Sequence, residues 1–266
     1  MIGLVNGLFA PPVIRLYPTY EDLFFETPGT YTFTVPKGAK NIDVTVIGSG
    51  GGGNEGGVSY GNIANAYPGG AGAGAAGEMT HAFSVDVTPG TSYAVTVGKA
   101  GAAYGGAGEK SSFGTIVQAN GGNGGNRGGH EPLNNTSTAN GGKGGSGGIG
   151  GNGGGKGRGQ YSNLIGADGA DGESTMDWAN WEIADWYVFK DISTGKRLGQ
   201  GGRGGDGMGI NDYSDRAARG LTVDEAPGKM YGSGGRGGDQ QKTGPVKTPE
   251  AGGNGLVAVR VWYKTR

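Results

Sequence analysis

The chain contains no cysteine, which excludes a disulfide framework and any thiolate metal site. Only two histidines, His81 and His130, are available for metal-centred or acid–base chemistry. No run of eighteen apolar residues occurs, so no membrane-spanning helix is expected. The formal net charge is −1, which gives no bulk attraction to nucleic acid or to an anionic membrane. Apolar residues make up 34% of the chain, below the roughly 45–50% of ordinary domains, a scale that counts glycine. That suffices for one modest core. The apolar start, MIGLVNGLFAPPVIRLYPTYEDLFF, lacks a basic leading region, is broken by Asn6 and Pro11-Pro12, and runs into Arg15. It is not expected to act as a secretory signal.

What the chain has in excess is glycine, 65 of 266 residues, more than three times the usual ~7%. Glycine loses the most backbone freedom on folding. Such an excess is a liability unless the backbone itself is the building material. Much of it keeps a period of three: GGN GGN RGG at 121–129, GGK GGS GGI GGN at 141–152, and GGR GGD at 201–206 and again at 234–239. Three residues per turn is the repeat of a polyproline-II-type helix, which has no internal hydrogen bonds. Its N–H and C=O groups must be satisfied laterally. With two of three side chains absent, several such helices can pack side by side. The competing reading is a flexible linker. Two features favour the bundle: the third residue varies among Asn, Arg, Lys, Ser, Ile and Asp, and the runs lie between strands. Strict Gly-X-Y with abundant proline is missing, so collagen is excluded.

Between the glycine runs lie strand patterns. Tyr31–Val35 alternates and ends at Pro36-Lys37-Gly38. Asn41–Ile47 puts Ile42, Val44 and Val46 on one face and Asp43 and Thr45 on the other. Glu78–Val87 and Ser92–Val97 flank the turn signal Thr88-Pro89-Gly90-Thr91. Ser112–Gln118 reads as one further strand, and Leu256–Tyr263 closes the set. Period-two alternation of β-branched residues fits half-buried antiparallel strands. The expected fold class is all-β: a small antiparallel β-sandwich with polyglycine-II-helix insertions at about 48–77, 98–110 and 119–254. Residues 1–23 are read as a docking arm and 24–266 as the glycine-rich domain.

Four blocks carry a resemblance. TPGTYTFTVPKGAKNIDVTVIGSGGGG at 27–53, GEMTHAFSVDVTPGTSYAVTVGKAG at 77–101, SSFGTIVQANGG at 111–122 and GGNGLVAVRVWY at 252–263 resemble, in order and spacing, the glycine-rich domain of bacteriophage tail and fibre proteins. The resemblance implies a β-sandwich with polyglycine-II helices between its strands. It also implies a place in the virion at the host-contacting end, with adhesion rather than catalysis. It implies synthesis in the host cytoplasm without a signal peptide. Expected partners are other virion proteins, and host surface polysaccharide or outer-membrane protein. A homotrimer is among the expected assemblies; nucleic acid, membrane insertion and cofactors are not. The alternative is a purely structural virion part, such as a tail-tip plug or a decoration protein.

Motifs that imitate chemistry fail on context. Gly48-x-Gly50-x-x-Gly53 follows a strand, but no helical period follows it to receive a pyrophosphate. The run from Gly201 to Gly209 matches one calcium nonapeptide without the tandem copy needed to share ions. Arg127, Arg203 and Arg236 each precede Gly-Gly, as in RNA-binding tracts, yet aromatics are sparse and Asp206 and Asp239 lie close by. Solvated third positions of GGX helices are the expectation. Gly-Lys is never followed by Ser or Thr, so no phosphate loop is present. No catalytic residues and no metal ligands are assigned.

Binding residues are placed by direction. Run 48–57 leaves the sandwich and 69–77 returns, 121–129 leaves and 141–159 returns, and 200–209 leaves and 232–239 returns. The distal connectors then carry Tyr60, Tyr67, His130, Asn134, Asn135, Tyr213 and Asp215 as receptor contacts, while 160–198 and 240–250 fall near the sandwich. A second candidate patch is Trp178, Trp181 and Trp186 within STMDWANWEIADWYVF, against a reading of these as a local mini-core. In the arm, Leu4, Leu8, Phe9, Val13, Ile14 and Leu16 are expected to dock on a virion carrier, since contiguous apolar surface marks interfaces.

Overall fold

A computed structural model describes residues 20–56, 70–128, 231–232, 234–238 and 248–263. It contains strands β1 (Tyr20–Phe25), β2 (Gly29–Thr34), β3 (Asn41–Ile47), β4 (Met79–Asp86), β5 (Ser92–Val97), β6 (Ser111–Phe113), β7 (Val117–Ala119) and β8 (Leu256–Trp262). They form two antiparallel four-stranded sheets, ordered β1-β8-β3-β4 and β2-β5-β6-β7. Inward residues of both sheets meet in one core of Phe33, Val35, Ile42, Val44, Val46, Val95, Phe113, Val257, Val259 and Val261. The β-sandwich expected from the alternation is therefore present. The turn between β4 and β5 closes with the Thr91 amide donating to the Thr88 carbonyl at 3.0 Å, and Gly90 supplies the positive φ of 86°.

Three local expectations are corrected. Ser112–Gln118 is not one strand but the hairpin β6–β7, turned at Gly114 (φ 53°). Strand β1 was not foreseen, and it begins inside the stretch read as an arm. Phe24 and Phe25 at its end are half-buried, and Asp22 accepts two bonds from Arg260, at 2.7 and 2.9 Å. The run YEDLFF lacks clean alternation, and only its partner β8, more than 230 positions away, makes it a strand. Third, the outer face of β3 is not open to water: Asp43 and Thr45 are both buried. Side chains from neighbouring strands pave it. Asp43 accepts from the Ser84 amide (2.7 Å) and from Trp262 Nε1 (2.8 Å), and Thr45 Oγ1 pairs with His81 Nδ1 at 3.2 Å. The Arg260 guanidinium lies 4.2 Å from the Tyr20 ring centre. Burial pulls the Arg260 pKa down, but the bond and charge of Asp22 outweigh it, so the value ends above the ordinary one.

Candidate binding end of the glycine bundle

The glycine-rich runs stand on one end of the sandwich as a lattice held by backbone groups. Its centre is 48–55, continuing straight out of β3. Each amide from Gly48 to Asn54 donates outward in strict rotation to three runs. Gly48, Gly51 and Asn54 reach Glu78, Ala75 and Gly72; Ser49 and Gly52 reach Glu109 and Gly106; Gly50 and Gly53 reach Gly253 and Glu250. Acceptor numbers fall by three as donor numbers rise by three, so all three runs are antiparallel to the centre. The carbonyls of 49–55 accept from three others. Gly122, Gly125 and Gly128 bond to Ser49, Gly52 and Glu55; Gly101 and Gly105 to Gly50 and Gly53; Gly235 and Gly238 to Gly51 and Asn54. These run parallel to the centre. Neighbours in the ring bond to one another as well: 71–78 to 232–238 and to 120–126, Gly108 to Gly122, Glu109 to Lys99, Gly252 to Gly101, and Glu250 to Arg236. The described runs thus form a closed ring of six around a seventh, alternating in direction. The three-residue bonding period is that of polyglycine II. At ~3.1 Å per residue the central run is about 25 Å long.

The packing explains the composition. A Cβ on Gly52 would lie 1.9 Å from the Ala102 carbonyl oxygen, and one on Gly53 1.8 Å from that of Arg236. Both obstacles are backbone, so neither can step aside. Where a run has room, alanine fills it: Ala71, Ala73, Ala75 and Ala76 are fully buried. Ser49, also buried, turns its hydroxyl to the Lys99 and Glu109 carbonyls, both at 2.7 Å.

The bonding directions correct part of the expected path. Run 48–56 leaves, 70–78 returns and 120–128 leaves, as expected. Run 232–238, expected to return, instead leaves, and 250–255 returns into β8. Residues 231–232 therefore sit at the sandwich end, where the Tyr231 hydroxyl is bonded to Glu26 and Gly232 abuts Ile47. Residues 248–250 sit at the far end, not near the sandwich. The cause is β8 itself, which is antiparallel to β3: the run entering β8 must oppose the run leaving β3. That last run, PEAGGNG, has a single Gly-Gly, so its sequence shows no period of three. The 98–109 excursion is likewise a leaving-and-returning pair.

At the far end lie Asn54–Gly56, Gly70, Ala103–Gly106, Asn126–Gly128, Gly238 and Thr248–Glu250. Tyr104 caps the 98–109 hairpin, 63% exposed, with a positive φ of 71° that costs a non-glycine residue roughly 1–2 kcal/mol. Its neighbour Gly105 packs on Asn54, whose Nδ2 donates to the Gly125 carbonyl at 3.0 Å. Beside them Arg127 pairs with Glu55 at 2.8 Å on the surface. Arg236, expected to be solvated, is only 4% exposed. Among the described residues no group of His, Asp and Glu gathers to hold a metal.

The profile of the glycine-rich domain matches residues 26–262. The chain belongs to the glycine-rich domain family. No curated protein matches it. The match spans strands β2 to β8 and the glycine runs between them, and leaves β1 outside. The receptor contacts expected at Tyr60, Tyr67, His130, Asn134, Asn135, Tyr213 and Asp215 lie outside the described residues, as do Trp178, Trp181, Trp186 and the docking residues Leu4, Leu8, Phe9, Val13, Ile14 and Leu16. Tyr104 was missed. The signal was there, an aromatic beside Gly105-Gly106 between glycine runs, but the 98–110 insertion had no place in the expected order of leaving and returning runs.

Proposed function

We propose that this glycine-rich domain protein is a bacteriophage virion component at a tail or fibre tip, adhering to a host surface polysaccharide or outer-membrane protein through the far end of its bundle. One observation carries the reading. Residues 56, 70, 128, 238 and 248 all reach the same end of the lattice, so segments 57–69 and 239–247 each begin and finish there. Recognition residues held at one end of a rigid scaffold are the common design of a binding protein, and a lattice fixed by its own backbone leaves the sequence between its runs free to vary. Tyr104 supplies an exposed aromatic face at that end. Residues 1–19 are the proposed contact to a virion carrier.

The test is adsorption. Purified protein should coat host cells and block phage attachment. Replacing Tyr60 and Tyr67 by Ala together with Tyr104→Gly should abolish both effects while particles still assemble. Clearing of capsule by the purified protein would point to a hydrolase instead. Failure to coat, with particle assembly lost on deletion, would leave the purely structural role.

A further inference from the structure

Strand β2 is an edge of its sheet, with β5 on one side and no described strand on the other. Toward β5, the Val35 amide donates to the Thr91 carbonyl (2.8 Å) and the Gly90 amide to the Val35 carbonyl (2.9 Å). Antiparallel ladders alternate, so Phe33, Tyr31 and Gly29 bond to β5, and the N–H and C=O groups of Thr30, Thr32 and Thr34 face away from it. The 3.0 Å contact between the Thr34 and Ser92 hydroxyls fits the non-bonded pair this places there. Among the described residues nothing bonds to those outward groups. Natural sheets guard such edges with charge, proline, bulges or cover. The other edges here are guarded: β1 carries Glu21 and Asp22, and β4 bulges at Ser84 (φ 52°). Between β4 and β7, Thr80 Oγ1 donates to the Gln118 carbonyl (2.7 Å), and Glu78 bonds Asn120. The sequence of β2, GTYTFT, has no guard at all.

We propose that β2 pairs antiparallel with β2 of a second copy of this chain. Of the registers that keep both cores on one side, the one with Thr32 against Thr32 on the two-fold axis and Thr30 against Thr34 pairs all three threonines with one another. All outward groups of the three threonines are then satisfied, and the two β2-β5-β6-β7 sheets become one. No like charges meet along the strand. An antiparallel pair brings the flank before one β2, with the exposed Glu26 that also bonds Tyr231, beside the flank after the other, with the exposed Lys37, so charges of opposite sign meet at each end of a second copy.

The chain's lack of cysteine makes a direct test available. Bonded pairs hold their Cα atoms about 5.5 Å apart, within disulfide reach. Thr32→Cys should oxidise to a covalent dimer, whereas Thr96→Cys, on the same face but one strand inside, should not. In sedimentation, the wild-type protein should dimerise over a concentration series. Thr32→Pro, which removes an outward N–H that β5 does not use, and Thr32→Lys, which sets two charges face to face, should each halve the mass and melt near the wild-type protein diluted to its monomer. The proposal is overturned by a wild-type protein that stays monomeric up to its solubility limit. It is equally overturned by dimers that persist in both variants, by equal cross-linking at Thr96, or by edge variants that lose only incorporation into particles. That last result would assign β2 to a carrier's strand.

Discussion

The sandwich and the bundle solve the same problem by opposite means. In the sandwich, side chains carry the fold: Phe113, Ile42, Val44 and Val259 fill the space between sheets, and apolar burial supplies about 25 cal/mol per Å². In the bundle the side chains are nearly gone, and successive central amides and carbonyls are satisfied by the six neighbouring runs in turn. A core of side chains can relax around a change of one carbon. A lattice of backbones cannot, because the obstacle is an atom already fixed by hydrogen bonds. One region should tolerate substitution and the other should not.

The largest expected effect is at the centre of the bundle. Gly52→Ala adds one carbon 1.9 Å from a carbonyl oxygen and should cost about 3 kcal/mol or more, the upper range of overpacking. Ile42→Val removes one carbon from the sandwich core and should cost only about 1 kcal/mol. Chemical denaturation of both variants checks the contrast, and equal costs would dissolve it. Next is the sandwich's own rigid point. Asp22→Ala leaves Arg260 buried without its carboxylate and should cost about 3 kcal/mol. For the same reason deletion of residues 2–19 should leave a domain that melts near the intact protein, while deletion of 2–23 should not, since it removes most of β1.

A smaller effect of opposite sign is expected at the bundle's far end. Tyr104→Gly relieves the positive φ and should raise stability by about 1 kcal/mol while weakening attachment to cells. A variant neither more stable nor weaker in attachment would remove Tyr104 from the binding end. Smallest are the pH effects, which belong to the sandwich and its junction. Burial lowers the His81 pKa below the ordinary 6.5. The unfolded chain then binds the proton first, so stability should decline as pH falls below 6.5, and His81→Gln should blunt the decline. Burial, the bond to Glu26 and its charge push the Tyr231 pKa up to about 12. Its contribution is full below pH 10 and should be lost as pH rises toward 12. The Glu21 hydrogen bond also raises the Tyr263 pKa, so ultraviolet titration should show the late tyrosine step reduced, not abolished, in Tyr231→Phe.

The two regions also differ in how much of them the sequence discloses. Alternation in Asn41–Ile47 and Leu256–Trp262 marks both strands and their core faces, because period two is a local property of the backbone. The period of three in the glycine runs marks polyglycine II for the same reason, and it implies lateral bonding, since such a helix has no internal bonds to make. Which runs meet is not local. The order of the ring, the outward course of 232–238 and the burial of Asp43 and Arg236 were settled by tertiary structure. Strand β1 became a strand only against β8, and Tyr104 reached the far end only because 98–109 joins the lattice. A glycine run carries almost no side chains with which to name its neighbour, so its partner and direction are decided by the strands at its ends.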